Sequence, residues 1–156
     1  MQNIIIPEVN NQISGFTYIP NFLSEDYKNK IKNDLDTTTD WKIGFNYSNN
    51  KIQRKQKWYQ IDNQSFCKNW KVKHERWDSH SYTPNMLNLQ KDLEMNIKKY
   101  LPQHQSIQIP NFNSLLINYY QDGNNFIAPH QDSKESFGSL PTIALLSFGE
   151  TRKFTL

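Results

Sequence analysis

Apolar positions follow a helical period in two stretches of this chain and an alternating, strand-like period around them. Residues 16–19 alternate as a short strand that ends at Pro20. Ser24 is placed as an N-cap, with Glu25 and Asp26 where a helix dipole favours negative charge. Tyr27, Ile31 and Leu35 then recur every four residues, which predicts an amphipathic helix whose Lys and Asp residues form a solvated face. From Trp41 to Tyr82 the pattern is irregular, aromatic and basic, and predicts short strands joined by loops. Thr83 and Pro84 open a second helix as N-cap and first helical residue. Met86, Leu89, Leu93, Ile97 and Tyr100 form its buried stripe, and Pro102 stops it. Residues 114–120 are largely apolar and predict a strand, 121–124 carry an Asp-Gly turn signal, and 125–129 are expected to return as the next strand. Residues 142–148 read as a buried strand, Gly149-Glu150 as a tight turn, and 152–156 as the start of a further strand.

Composition narrows the class. A chain of 156 residues suffices for one domain with its own core. Its aromatic fraction is 13% although mean hydropathy is −0.83, so a core of Phe, Tyr, Trp and Ile is expected beneath an Asn-, Gln- and Lys-rich exterior. A net charge of +3 allows a polyanionic partner without demanding one. Cys67 is the only cysteine, which excludes a disulfide framework and a Cys-based zinc site and points to a reducing, intracellular compartment. The N-terminal apolar run is too short for a signal peptide, and no stretch is long enough to span a bilayer, so a soluble protein, expected to be monomeric, is implied.

The chemical signal lies at Pro129-His130-Gln131-Asp132. Residues i and i+2 of a strand share a face, so His130 and Asp132 would aim an imidazole and a carboxylate at one point. That is two thirds of the two-His-one-carboxylate set that holds non-haem Fe(II). Taken alone, such a pair is usually a solvated surface feature. A second signal is the run Lys51-Ile-Gln-Arg-Lys-Gln-Lys57 leading into Trp58-Tyr59, followed by Trp70, Lys71, Lys73, Arg76 and Trp77. Cations interleaved with aromatic rings suit phosphates and stacked bases, and a structural role in a small β core suits each Trp equally well. Asn118, polar within an apolar strand, needs a partner if it faces inward, and a neighbouring strand or loop would serve.

The order and spacing of Asn113-Ser-Leu-Leu-Ile-Asn-Tyr-Tyr-Gln-Asp-Gly123, Pro129-His-Gln-Asp132, Ile143-Ala-Leu-Leu-Ser-Phe-Gly149 and Arg152-Lys-Phe154 resemble those of the AlkB family. These are Fe(II)- and 2-oxoglutarate-dependent dioxygenases that remove alkyl groups from DNA or RNA bases. Tyr18-Ile-Pro-Asn-Phe-Leu-Ser24 is similar to the family's opening strand and helix cap, and Arg54 with Trp58-Tyr59 to its Arg-and-aromatic segment. Arg76-Trp77 falls where the nucleotide-recognition lid ends.

The resemblance implies an α+β fold: a double-stranded β-helix (jelly-roll) core, here C-terminally incomplete, with two N-terminal helices packed outside and a basic aromatic lid. One domain over 1–156 would comprise an N-terminal strand and helix (16–50), the lid (51–83), a helix (84–101) and the first jelly-roll strands (113–156). His130 and Asp132 would be catalytic iron ligands, and Asn118 and Tyr120, with Leu116 on the same strand face, would hold 2-oxoglutarate. Alkylated single- or double-stranded nucleic acid would be the partner. Trp77 would stack the flipped base, Trp58 and Tyr59 would line the entrance, and Arg54, Lys55 and Lys57 would contact phosphates.

Two departures from the family pattern bear on activity. Lys134 stands where the family carries an acidic residue that contacts the base's exocyclic amino group, and a one-residue loop shift would give Glu135 that role. The family's third iron ligand is a His well downstream, followed by two arginines for 2-oxoglutarate, whereas this chain ends at Leu156. His74, His80 and His104 all precede the jelly-roll strands, so a fragment or incomplete reading frame is expected. Three readings stay open: a nucleic-acid dealkylating enzyme, a catalytically incomplete module that binds single-stranded nucleic acid, and a related dioxygenase acting on protein or lipid.

Overall fold

Ser24 caps the first helix, its hydroxyl accepting the Tyr27 N–H at 3.4 Å, in a computed structural model that describes residues 2–9, 12–45, 49–61, 79–100, 111–132, 134 and 142–155. The elements run β1 (Gln2–Val9), β2 (Gln12–Tyr18), α1 (Glu25–Asp36), β3 (Lys55–Gln60), β4 (His80–Ser81), α2 (Pro84–Tyr100) and β5 (Ser114–Tyr119). Both helices start at the caps their sequences predict. On α1 Ile31 is buried, while Lys28–Glu25 and Lys32–Asp36 pair along the solvated face. Pairs of this kind contribute only about 0.2–0.5 kcal/mol each.

The N-terminus of α2 is tied to α1 through one carboxylate. Thr83 Oγ1 accepts the Met86 N–H and donates to Asp34 Oδ2 at 2.6 Å, and Asn85 Nδ2 donates to Asp34 Oδ1 at 3.1 Å. Met86 and Leu89 are buried; Leu93 and Ile97 are half-buried. The side chain of Tyr100 lies outside the described residues. Further along α2, Gln90 Nε2 donates to the Phe112 carbonyl and Glu94 Oε1 accepts the Phe112 N–H at 2.7 Å. Helix α2 thus sets where β5 begins.

Residues 55–60, within the span expected to form a lid, are the middle strand of a three-stranded sheet ordered β4-β3-β5. Strand β3 pairs with β5 antiparallel, from Lys55↔Tyr119 to Gln60↔Ser114, and with β4 parallel at Tyr59↔His80. On the same edge as β4, Lys42 exchanges both backbone hydrogen bonds with Gln56. Gln56, Trp58, Tyr59 and Gln60 are all buried in consequence. Residues 62–78 of the expected lid lie outside the described residues.

Three segments differ from expectation. Residues 2–9, with three consecutive isoleucines and no alternation, form a strand that pairs with β2, which is longer than residues 16–19. The register of that hairpin breaks between Ile6 and Val9, around Pro7, which has no N–H to give a ladder. The chain does turn at 121–125, but residues 125–129 do not return as a strand. A two-residue hairpin turn needs positive φ at its centre, and Gly123 does not adopt it. The turn is instead braced by Asp122 Oδ1, which accepts from Asn124 N and Asn125 Nδ2. Residues 142–148 and 152–155 have no ladder partner among the described residues, and 142–148 are not the buried strand expected: Ile143 and Leu145 are exposed while Ala144 and Leu146 are half-buried. Gly149 does make the expected tight turn, at φ 87°.

Candidate metal and cosubstrate site

Opposed residues of an antiparallel pair share a face, so the β3–β5 register sorts the candidate side chains. Gln56 opposite Asn118, Trp58 opposite Leu116 and Gln60 opposite Ser114 face one way; Lys55 opposite Tyr119, Lys57 opposite Ile117 and Tyr59 opposite Leu115 face the other. Asn118 lies at one end of the first face. Its Oδ1 accepts from Arg54 Nε at 2.8 Å and from Gln56 Nε2 at 2.9 Å. The neighbouring strand thus satisfies the oxygen of the polar residue that interrupts β5, while the Asn118 amide nitrogen makes no hydrogen bond among the described residues. Burial pushes the Arg54 guanidinium below its ordinary value, and the nearby Tyr120 works in the opposite direction.

Tyr120 follows β5 directly and is half-buried. The Arg152 guanidinium lies over its ring, 5.0 Å from the centroid, and donates to the carbonyls of Asp122 and Asn125. The C-terminal segment therefore grips both the tyrosine and the turn that follows it. Beyond the turn, Phe126 N donates to the Gln53 carbonyl at 3.0 Å, which draws the segment leading to His130 alongside the residue before Arg54.

His130 and Asp132 lie in an unpaired stretch, not on a ladder-forming strand, yet their ligating atoms converge: His130 Nε2 is 3.7 Å from Asp132 Oδ1. His130 Nδ1 stands 2.9 Å from the Ala128 carbonyl, which can only accept, so in the neutral ring the proton sits on Nδ1 and the Nε2 lone pair faces the carboxylate. Two electron-pair donors at that separation are too far apart for a hydrogen bond and suit a cation held between them. A backbone carbonyl fixing the far nitrogen is also how metal-binding imidazoles are oriented. The donor set therefore fits a divalent metal. Among the described residues, no group of three His, Cys, Asp or Glu side chains gathers for one ion.

The seven residues expected to meet the substrate are divided. Arg54, just before β3, reaches Asn118 through its Nε, and Trp58 shares the Asn118 face and is only 4% exposed. Tyr59 is also 4% exposed but faces the other way, against His80 and Tyr82. Burial raises its phenol above the usual range, opposed by hydrogen bonding with the Thr38 side chain. Lys55 and Lys57 share that second face; Lys57 donates to the Thr39 carbonyl at 2.7 Å and Lys55 lies over the Tyr119 ring. The register does not bring these residues into one rim. Trp77 and Glu135 lie outside the described residues. The sequence reading passed over Gln56, although its alternation with Arg54 and Trp58 marks it as a polar residue on the same buried strand face.

A family model described as the 2OG-Fe(II) oxygenase superfamily matches residues 15–156. Over 45 residues the chain is 51% identical to the alpha-ketoglutarate-dependent dioxygenase alkB homolog 3 of Mus musculus, covering 29% of this chain and 16% of that protein. It is 47% identical over 45 residues to the Homo sapiens protein of the same name, with 29% and 16% covered. To the DNA oxidative demethylase ALKBH2 of Arabidopsis thaliana it is 44% identical over 45 residues, with 29% and 14% covered. The matched stretch spans about a sixth of the length of these relatives. No solved structure matches the chain.

Proposed function

Because the chain belongs to the 2OG-Fe(II) oxygenase superfamily, we propose that it serves Fe(II)- and 2-oxoglutarate-dependent oxidative dealkylation of nucleic-acid bases. The observation that carries the reading is the convergence of His130 Nε2 and Asp132 Oδ1 at 3.7 Å, with the imidazole tautomer set by the Ala128 carbonyl. The names of the relatives support the substrate class: an alkB homolog and a DNA oxidative demethylase. When bound, the iron and 2-oxoglutarate would supply, with dioxygen as the oxidant, the chemistry that hydroxylates the N-alkyl carbon while 2-oxoglutarate becomes succinate and carbon dioxide, after which the alkyl group would leave as an aldehyde.

The chain's own residues hold and orient. His130 and Asp132 are the metal donors. Asn118 and Tyr120, with Leu116 beside them, receive the keto acid. Trp58 and Gln56 close the floor of that face against water, since both are buried. Trp77 is the stacking residue for a base taken out of its helix, Glu135 its hydrogen-bonding partner, and Lys55 and Lys57 supply phosphate contacts from the opposite face.

The test is incubation of the chain with Fe(II), 2-oxoglutarate and a methylated single-stranded oligonucleotide. Succinate and aldehyde should appear in equal amounts and vanish in His130→Ala. Demethylation that survives this substitution would remove His130 from the chemistry. A second reading, a nucleic-acid binding module, is favoured by the absence of a three-donor group among the described residues. It expects salt-dependent oligonucleotide binding, indifferent to iron, with no succinate.

A further inference from the structure

A carboxamide can present either its oxygen or its nitrogen to a ligand, and an Asn that binds an anion must present nitrogen. In this chain the choice is made by Gln56 of β3 and by Arg54 just before it. The guanidinium of Arg54 can only donate, so the Asn118 atom 2.8 Å from Arg54 Nε must be oxygen. Gln56, 3% exposed, adds a second donor to that same oxygen at 2.9 Å. With both lone pairs engaged, the Asn118 amide is locked against rotation and its N–H groups face away from β3. A lone Asn would lose rotamer freedom on binding and would bind through either orientation. Arg54 itself has no carboxylate partner among the described residues, although it is half-buried. A desolvated cation without an acidic partner also favours an anion near the Asn118–Tyr120 pair.

We infer that Arg54 and Gln56 are positioning residues that fix Asn118 as an amide donor to the carboxylate of a keto acid, so that Arg54 acts on cosubstrate affinity through Asn118 and is not a phosphate contact. This rests on the reading of Asn118 as a 2-oxoglutarate residue and adds what sets its orientation. The role is absent from the sequence motif because Arg54 and Asn118 are 64 positions apart and meet only through the β3–β5 register.

The test is a double-mutant cycle on 2-oxoglutarate affinity, measured by calorimetry on the full chain with Mn(II) as a redox-inert metal. Asn118→Ala should weaken binding by about 10-fold or more, the value of a hydrogen bond to a charged group. Arg54→Met and Arg54→Lys should each weaken it about 5-fold or more alone, and less than about 2-fold when Asn118 is already Ala. Arg54→Lys keeps the charge and tests whether the guanidinium donor itself is required. Equal losses with and without Asn118 would make Arg54 a merely structural residue and overturn the inference. Full affinity in Arg54→Lys would also overturn it, because charge alone would then suffice. An unchanged affinity in Asn118→Ala, or no 2-oxoglutarate binding by the unsubstituted chain, would sink the parent reading and the inference with it. Weakening by Asn118→Ala alone, with both Arg54 variants normal, would sink the inference only.

Discussion

Replacing Asp132 by Asn keeps the size and polarity of the side chain and removes only its charge, which isolates the electrostatic part of metal binding. The carboxylate oxygen lies 3.7 Å from His130 Nε2, and the two side chains are 37% and 50% exposed, so water screens the site. A divalent ion between the donors is no farther from the carboxylate than that separation. At a water-like dielectric of about 80 a charge of two opposite a charge of one is then worth about 2 kcal/mol, or roughly 30-fold in affinity, as a lower bound. Calorimetric titration of Mn(II) into Asp132→Asn should show a loss of at least that size. His130→Ala should lose binding comparably, because it removes the second donor. A change of less than about threefold in Asp132→Asn would mean that the two atoms converge for another reason, and the metal assignment would fail.

Asp34→Ala removes the acceptor shared by Thr83 and Asn85 at the junction of the two helices, and should cost about 1–3 kcal/mol in urea denaturation with an unchanged m-value. Burial raises the Tyr82 phenol well above its ordinary value, so the unfolded chain ionises first. Stability should then be full below about pH 10 and fall as pH rises further, and Tyr82→Phe should flatten that fall in thermal melts. If Lys55 and Lys57 contact phosphates, replacing both by Ala should lower the slope of log K against log salt for a single-stranded oligonucleotide by about 1.4; an unchanged slope removes them from the interface.

The parts of the fold legible in the sequence are those set by neighbours along the chain. Ser24 and Thr83 mark their helices because capping is decided within three residues, and both hydroxyls accept the expected N–H. Ile31, Met86 and Leu89 are buried because a helical stripe shows in one turn of sequence. The strand at 55–60 reads as basic and aromatic, which suggests a surface, yet it is the sheet's centre. Its cations turn to one side, where Lys57 reaches the Thr39 carbonyl, while Gln56 and Trp58 are buried on the other. That sorting depends on register against β5, a long-range pairing that no local window contains. For the same reason His130 and Asp132 were recognisable as an i, i+2 pair, whereas the Arg54 and Gln56 contacts to Asn118 were not. Residues 142–148 show the converse case: an apolar run reads locally as a buried strand, but a strand also needs a partner, and none is present among the described residues, so Ile143 and Leu145 are exposed.

A metal centre at His130 and Asp132 opening onto Asn118 is tested by the paramagnetic effect of Mn(II) on the nuclear magnetic resonance spectrum of the isotope-labelled chain. Substoichiometric Mn(II) should broaden His130 and Asp132 first, then the side-chain amide of Asn118, while Ile31 on α1 stays sharp. On adding 2-oxoglutarate the Asn118 side-chain resonances should shift as well. Broadening centred on the acidic pairs of α1, or spread evenly over the chain with Asn118 untouched, would contradict it.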